Sequence, residues 1–427
     1  MHIFLLLFNL KQLFPFLDYN FHFLFYNDII LKIIQLFMEM IIIDKKVYYF
    51  DNSATSFPKP ESVYKSVEKA IRFYGANPGR GGHRMAVEAS KAIYETREKI
   101  AALFNIKNPL QIAFTYNSTY ALNFAVKGII PKNSHIITTS LEHNSVLRPV
   151  FYEKDENNAR ISIISPSEDG NIHSENIINA MTSETKAIIL THMSNVTGAI
   201  IDLLPITAEA RKRNILTIVD VSQSAGFLDI DVEKLKIDVL CFTGHKSLFG
   251  IQGTGGIYIR DGIKISPIIE GGTGSFSKMK RQPLSMPEAL EAGTLNTPGI
   301  ISLGAGIDFL NSIGLENIRK HENNLTKKFI EELKNINEII IYGPEKRGPV
   351  VTLNIKGVDS GDLAAYLDEE YSILTRAGIH CAPLAHETMK SSENGGVRFS
   401  FGYFNTEEDI NYAVNSLKNI VSELKNN

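Results

Sequence analysis

Only two cysteines, Cys241 and Cys381, and no tryptophan occur in this chain of 427 residues. Two thiols that form no CxxC pair exclude a zinc ribbon and a disulfide framework, and they suit a reducing cytosol. Charge of either sign is nearly balanced, at a formal −3. That removes the electrostatic ground for a nucleic-acid partner. Long apolar runs are also missing: a membrane helix needs about 18 consecutive apolar residues. The segment that comes nearest, residues 1–37, is interrupted by Lys11, Pro15, Asp18, Asn20, Asn27, Asp28 and Lys32. It contains no Gly, Ala, Val, Ser, Thr, Glu or Arg, unlike everything after it. Neither a basic start nor a small-residue cleavage site marks it as a signal peptide. It reads as translated non-coding sequence from an AT-rich genome, with the start at Met38 or Met40; a membrane-associated segment is the rival reading. The expected location is cytoplasmic, with no membrane partner.

From Val47 onward, short β-branched runs alternate with stretches of helical apolar spacing. The runs are 111–114, 135–139, 161–164, 187–190, 215–219, 239–242 and 256–259, with helices expected over 88–104 and 205–213, among others. That alternation predicts an α/β fold with a mostly parallel sheet covered on both faces. Beyond about Pro298 the texture changes: one or two long helices over 300–333, strands over 349–355 and 396–401, and helices over 359–371 and 407–424. The expected organisation is therefore an extension over 1–46, a large domain over 47–299 and a smaller C-terminal α+β domain over 300–427. A chain of this length exceeds what one core usually organises.

Ligands of such sheets sit beyond the carboxyl ends of the strands. The candidate chemistry falls there. Lys246 follows an apolar run in TGHKSLFG, and Asp220 ends another in VDVSQSAG. A lysine can hold an aldehyde cofactor as a Schiff base while an aspartate keeps that cofactor's pyridine nitrogen protonated. Gln223 can reach the ring hydroxyl. Asn117, Ser118 and Thr119 open a helix after a strand, which suits either a phosphate or a plain N-cap. His143, at another strand end, can stack on a planar ring. Cys241 lies within an apolar strand and reads as inert packing. Cys381, in TRAGIHCAPLAH, has Arg376 and His380 as basic neighbours that favour the attacking thiolate. Arg398, in GGVRFSFG, offers a guanidinium fork to a carboxylate, or else a structural ion pair. Together these residues point to pyridoxal phosphate chemistry completed by a thiol.

The set DNSATSFPKP, NSTYALN, LEHNS, SNVTGAI, VDVSQS, TGHKSLFG, EAGTLNT, RAGIHCAPLAH and VRFSFGYFNTEED resembles a cysteine desulfurase. These belong to the class V aminotransferases, fold-type I enzymes of pyridoxal 5'-phosphate (PLP). The resemblance runs over about residues 47–427 in order. It implies Lys246 as the Schiff-base lysine, Asp220 at the pyridinium, Gln223 at the ring oxygen and His143 stacked on the ring. It further implies a phosphate held by Ser118, Thr119, Thr243 and His245, with Thr294 reaching in from the second subunit of a homodimer. Asn195, beside the cofactor, and Arg398 would receive the substrate carboxylate, Arg376 would line the same pocket, and Cys381 would take the sulfur. No metal is implied.

The short cysteine loop matches the Suf-like branch, although Ile379 stands where the better-studied Suf-type enzymes carry a first histidine. Thr243 replaces their common serine and keeps the hydroxyl, while His386 and Glu387 follow with no assigned role. The implied reaction converts L-cysteine to L-alanine and leaves a persulfide on Cys381, for an acceptor protein in sulfur-cofactor or iron–sulfur cluster assembly. A selenocysteine lyase, an aminotransferase or epimerase in which Cys381 is incidental, and a non-catalytic scaffold are the alternatives.

Overall fold

Strand-forming residues alternate faces along the chain, and that alternation builds the central sheet. In β4 (Thr185–Thr191), Ala187 and Ile189 enter one apolar cluster while Ile188 and Leu190 enter another. Val239 and Cys241 of β6 (Val239–Thr243) separate from Leu240 and Phe242 in the same way. Both faces are therefore covered, as a βαβ succession requires. Each fully buried Ile, Leu or Val contributes roughly 1.5–3 kcal/mol.

In the computed structural model, residues 46–79, 82–391 and 393–426 are described. The remaining strands of this sheet are β1 (Ile112–Thr115), β2 (His135–Thr139), β3 (Arg160–Ile164), β5 (Leu216–Asp220) and β7 (Gly255–Ile259). Their order is β1-β7-β6-β5-β4-β2-β3. Pairing is parallel throughout except at β7, which runs antiparallel to both β1 and β6. The mostly parallel α/β sheet expected from the sequence is present, with this one reversal added. A second sheet of three antiparallel strands has the order β10-β9-β8, built from β8 (Ile339–Tyr342), β9 (Val350–Ile355) and β10 (Val397–Ser400).

The helices that matter for the site are α1 (Ser118–Ile129), α2 (Asn144–Asn157) and α3 (Thr297–Ile313), followed by α4 (Leu315–Leu333) and the short α5 (Pro383–Thr388). The 300–333 stretch is two helices. Gly314, with φ +85°, caps one and starts the next, and they bend by 82°. No single described helix is long and apolar enough to cross a membrane. Tyr49–Asn427 forms one compact unit. The reading made for residues 1–37 lies outside the described residues.

Candidate active site

The turns that follow β5 and β6 interlock. Gly226 of VDVSQSAG has φ +87°, and a Cβ there would lie 2.3 Å from the Ser247 carbonyl oxygen. Only glycine lets the two turns approach so closely. The contact brings Asp220 and Lys246 to one cavity of about 270 Å³. That cavity is also lined by Ser118, Thr119, His143, Asn195, Gln223, Thr243, His245, Arg376, Cys381 and Arg398. Every candidate residue except Thr294 is thus gathered in one place. A larger groove, about 1120 Å³, runs along α4 past Arg319, Lys320 and Lys327. It carries no nucleophile paired with an acid or base.

Asp220 is buried, and Oδ1 accepts from Ser118 Oγ at 3.1 Å and from the Ser222 N–H at 2.9 Å. Ser118 therefore spends its hydroxyl on the aspartate, and what it offers a phosphate is its backbone N–H at the start of α1. Lys246 loses hydration in the cavity, which brings its ammonium from 10.5 down to about 8. Asp220 opposes that fall; Arg398 and Arg376 add to it. The turn is clamped from behind by Lys59, whose Nζ donates to the His245 carbonyl at 2.7 Å and to Ser56 Oγ at 2.8 Å. Gln223 Nε2 donates to the Ser53 carbonyl at 3.1 Å.

His143 caps α2: the Ser145 N–H donates to its Nδ1 at 3.0 Å, so the ring proton sits on Nε2. Burial holds this imidazole near 4, neutral at ordinary pH. Beneath it lies Glu142, fully buried, which accepts from Thr139 Oγ1 at 2.7 Å and from the Thr191 N–H at 2.8 Å. Burial pushes its carboxyl up to about 7, and the charge of Asp220 pushes the same way.

Arg398 is 2 % exposed and salt-bridged to Asp51 through Nη2 at 2.5 Å, while Nη1 donates to the Asn195 carbonyl at 3.2 Å. Asn195 in turn donates from Nδ2 to the His380 carbonyl at 2.8 Å, tying the cysteine loop to the arginine. Arg376 lies opposite Arg398 as a β-bridge partner and is exposed. Cys381 is exposed at the cavity rim, whereas Cys241 is fully buried and its thiol is pushed well up by burial.

One expectation changes. His380 is not a cationic neighbour of the thiol: it is buried and its imidazole is held near 3, chiefly by desolvation. Its ring nitrogens face the Arg376 carbonyl and His386. Thr294 lies elsewhere in this chain, exposed, with Oγ1 3.4 Å from Asn77 Nδ2.

The class-V aminotransferase family signature matches residues 48–412. The chain belongs to the class V aminotransferase family. Curated relatives include a probable cysteine desulfurase of Methanothermobacter thermautotrophicus, 32% identical over 87% of this chain and 94% of the relative. Another, from Pyrococcus abyssi, is 33% identical over 89% and 96%. Among solved structures, a cysteine desulfurase of Thermococcus onnurineus NA1 superposes with a TM-score of 0.83 at 32% identity, covering 88% of this chain and 95% of that one. A cysteine desulfurase from Escherichia coli reaches 0.80 at 25% identity, with the same coverage.

Class V aminotransferases use PLP, and the residues present fit it. Four polar atoms of the cavity are buried without a hydrogen-bond partner among the described residues: Thr191 Oγ1, His245 Nδ1, Asn195 Oδ1 and Arg398 Nε. Groups of this kind are normally satisfied, so their gathering here marks a site shaped for a polar ligand. Asp51, Lys59 and Glu142 were not legible as site residues. Asp51 and Lys59 sit far from the strand ends in sequence, and Glu142 reads as one half of a histidine motif.

Proposed function

We propose that this chain is a PLP-dependent cysteine desulfurase, with L-cysteine as substrate. One observation carries the reading: an exposed thiol, Cys381, lines the same cavity as Lys246 and Arg398. Transamination needs no thiol there. The relatives named as desulfurases support the same reading.

Residues 47–299 would hold the cofactor. The N–H groups that open α1, with Thr119, Thr243 and His245, would take the phosphate; the helix dipole favours an anion at that end. Thr294 of a second subunit would complete that end in a homodimer. Asp220, whose hydrogen bonds from Ser118 and Ser222 fall on one carboxylate oxygen, would give the other to the ring nitrogen. Neutral His143 would stack on the ring, and Gln223 would meet the ring oxygen. Bound there, PLP supplies an electron sink for bonds to the substrate's α and β carbons.

Residues 300–427 would add Arg376, Cys381 and Arg398 to the same cavity. Arg398, with Asn195, binds the substrate carboxylate, and Asp51 keeps the guanidinium oriented in a buried setting. Arg376 stands at the mouth of the same pocket. Lys246, once free, takes the Cα proton; its depressed pKa leaves enough neutral amine for that work. The Cys381 thiolate then forms an S–S bond to the substrate sulfur as the Cβ–S bond breaks. The electron pair of that bond stays on the three-carbon fragment, which is protonated at Cβ and leaves as alanine. L-Cysteine and enzyme thiol thus become L-alanine and enzyme persulfide, with no external oxidant. An acceptor protein would take the sulfur onward, in a cytoplasmic sulfur-cofactor or iron–sulfur pathway.

The decisive assay compares sulfide and alanine release from cysteine in wild type, Cys381→Ala and Cys241→Ala. Cys381→Ala is expected to keep the visible absorption of bound PLP and to lose release by orders of magnitude; Cys241→Ala is expected to retain it. Undiminished release in Cys381→Ala would favour an aminotransferase, and activity confined to selenocysteine would favour a lyase.

A further inference from the structure

Cys381 is held in an unfavourable backbone shape. His380 has φ +52° and Cys381 φ +56°, two consecutive non-glycine residues in the left-handed region. Each such residue costs about 1–2 kcal/mol, so the loop keeps this shape only if its surroundings impose it. One of the restraints comes from a residue of the cavity and another from the first residue of α2. Asn195 Nδ2 donates to the His380 carbonyl, and the Asn144 N–H donates to the Cys381 carbonyl at 2.7 Å.

The third restraint comes from below and has no place in the chemistry described so far. His386 is fully buried on α5, outside the residues that line the cavity. Its Nε2 lies 3.0 Å from His380 Nδ1, its Nδ1 lies 2.9 Å from Ser391 Oγ, and His380 Nε2 lies 2.9 Å from the Arg376 carbonyl. The carbonyl end fixes every proton in this chain. It can only accept, so His380 Nε2 carries the proton and Nδ1 accepts. His386 Nε2 must then donate, its Nδ1 accepts, and Ser391 donates. Burial keeps both rings neutral, near 3 for His380 and near 4 for His386, as this one-way arrangement needs.

We infer that His386 is a positioning residue for Cys381: through His380, it holds the cysteine loop in its left-handed conformation at the cavity rim. The inference rests on the desulfurase reading for its effect on rate, but not for its effect on the loop.

The test uses two substitutions in the full-length, PLP-loaded protein. His386→Gln places an amide donor near the position of Nε2; His386→Phe keeps a flat ring and removes the donor. Persulfide formation is read as a mass gain of about 32 Da on Cys381 after brief exposure to cysteine. Proton abstraction is read separately, as exchange of the substrate Cα hydrogen in heavy water. His386→Phe is expected to slow persulfide formation about a hundredfold while Cα exchange stays within about twofold, because only the thiol is misplaced. His386→Gln is expected to recover most of that loss. Amide hydrogen exchange over residues 376–391 should accelerate in His386→Phe and not in His386→Gln.

Unchanged persulfide formation in His386→Phe would overturn the inference. So would a parallel loss of Cα exchange and PLP absorption, which would make His386 a general prop of the fold. A wild type that forms no persulfide would sink the desulfurase reading. The amide-exchange comparison would still decide whether His386 holds the loop.

Discussion

Lys246 shows what one enclosed side chain gains from its surroundings. At pH 7.5, a lysine of pKa about 8 is roughly one-quarter neutral, against about one part in a thousand for an ordinary lysine. The sign follows from charge: deprotonation makes the nucleophilic and basic form, so capture of PLP by cofactor-free protein should quicken as pH rises and level off above about 8. The measurement is the rate at which the visible absorption returns when PLP is added between pH 6 and 10. A midpoint above 10 would show that the cavity does not depress this amine. Lys246, Asp220, Cys381 and Arg398 were legible from sequence because each stands at the end of an apolar run or in a distinctive turn. His386 was not. Its importance lies in the direction of a proton chain and in two left-handed residues, and neither leaves a compositional trace. The cationic role expected of His380 failed for a related reason, since burial, which sequence proximity does not report, keeps that ring neutral.

At the level of elements, the alternation of β-branched residues revealed the sheet strands that carry the candidate site, but β8 was missed. Its sequence, Ile339–Tyr342, follows helix α4 closely and, with four apolar residues in a row, shows no period-2 alternation to mark a strand. The single reversed strand, β7, was equally invisible, because periodicity is the same in both directions. Helix α4 carries a testable flaw. Glu322 is 2 % exposed, and its Oε2 has no hydrogen-bond partner among the described residues. Burial raises its carboxyl well above the ordinary 4.5. Below that pH, both folded and unfolded chains hold the proton and nothing is lost. Above it, the unfolded chain releases the proton while the folded one retains it, so stability falls as pH rises. Glu322→Gln removes that difference. It should raise Tm by about 2–4 °C at pH 7.5, with the gain vanishing towards pH 4. A gain that persisted at pH 4 would mean the substitution acts by packing alone.

The assembled molecule leaves one requirement of the proposed site unmet within a single chain. The start of α1, where a phosphate would sit, is flanked by Tyr116 and Tyr120, 53% and 42% exposed. They border a cavity shared with Ile269, 44% exposed, and with Thr294. Apolar side chains this exposed, grouped beside the one site residue that does not reach its own cavity, are what a two-fold interface would cover: in such a pair each subunit presents the same patch to the other. Sedimentation is therefore expected to give a dimer at working concentration. Dilution below the dimer's dissociation constant should release PLP, because each phosphate would lose the hydroxyl of the partner's Thr294. Thr294→Ala should weaken PLP binding about tenfold, the scale of one hydrogen bond to a charged group, while leaving the protein dimeric. Tyr120→Glu buries a charge at the contact, so it should give monomers that retain their fold by circular dichroism but bind PLP weakly. A monomer that holds PLP as tightly as the wild type would remove the second subunit from the site and leave the N–H groups that open α1, with Thr119, Thr243 and His245, to hold the phosphate.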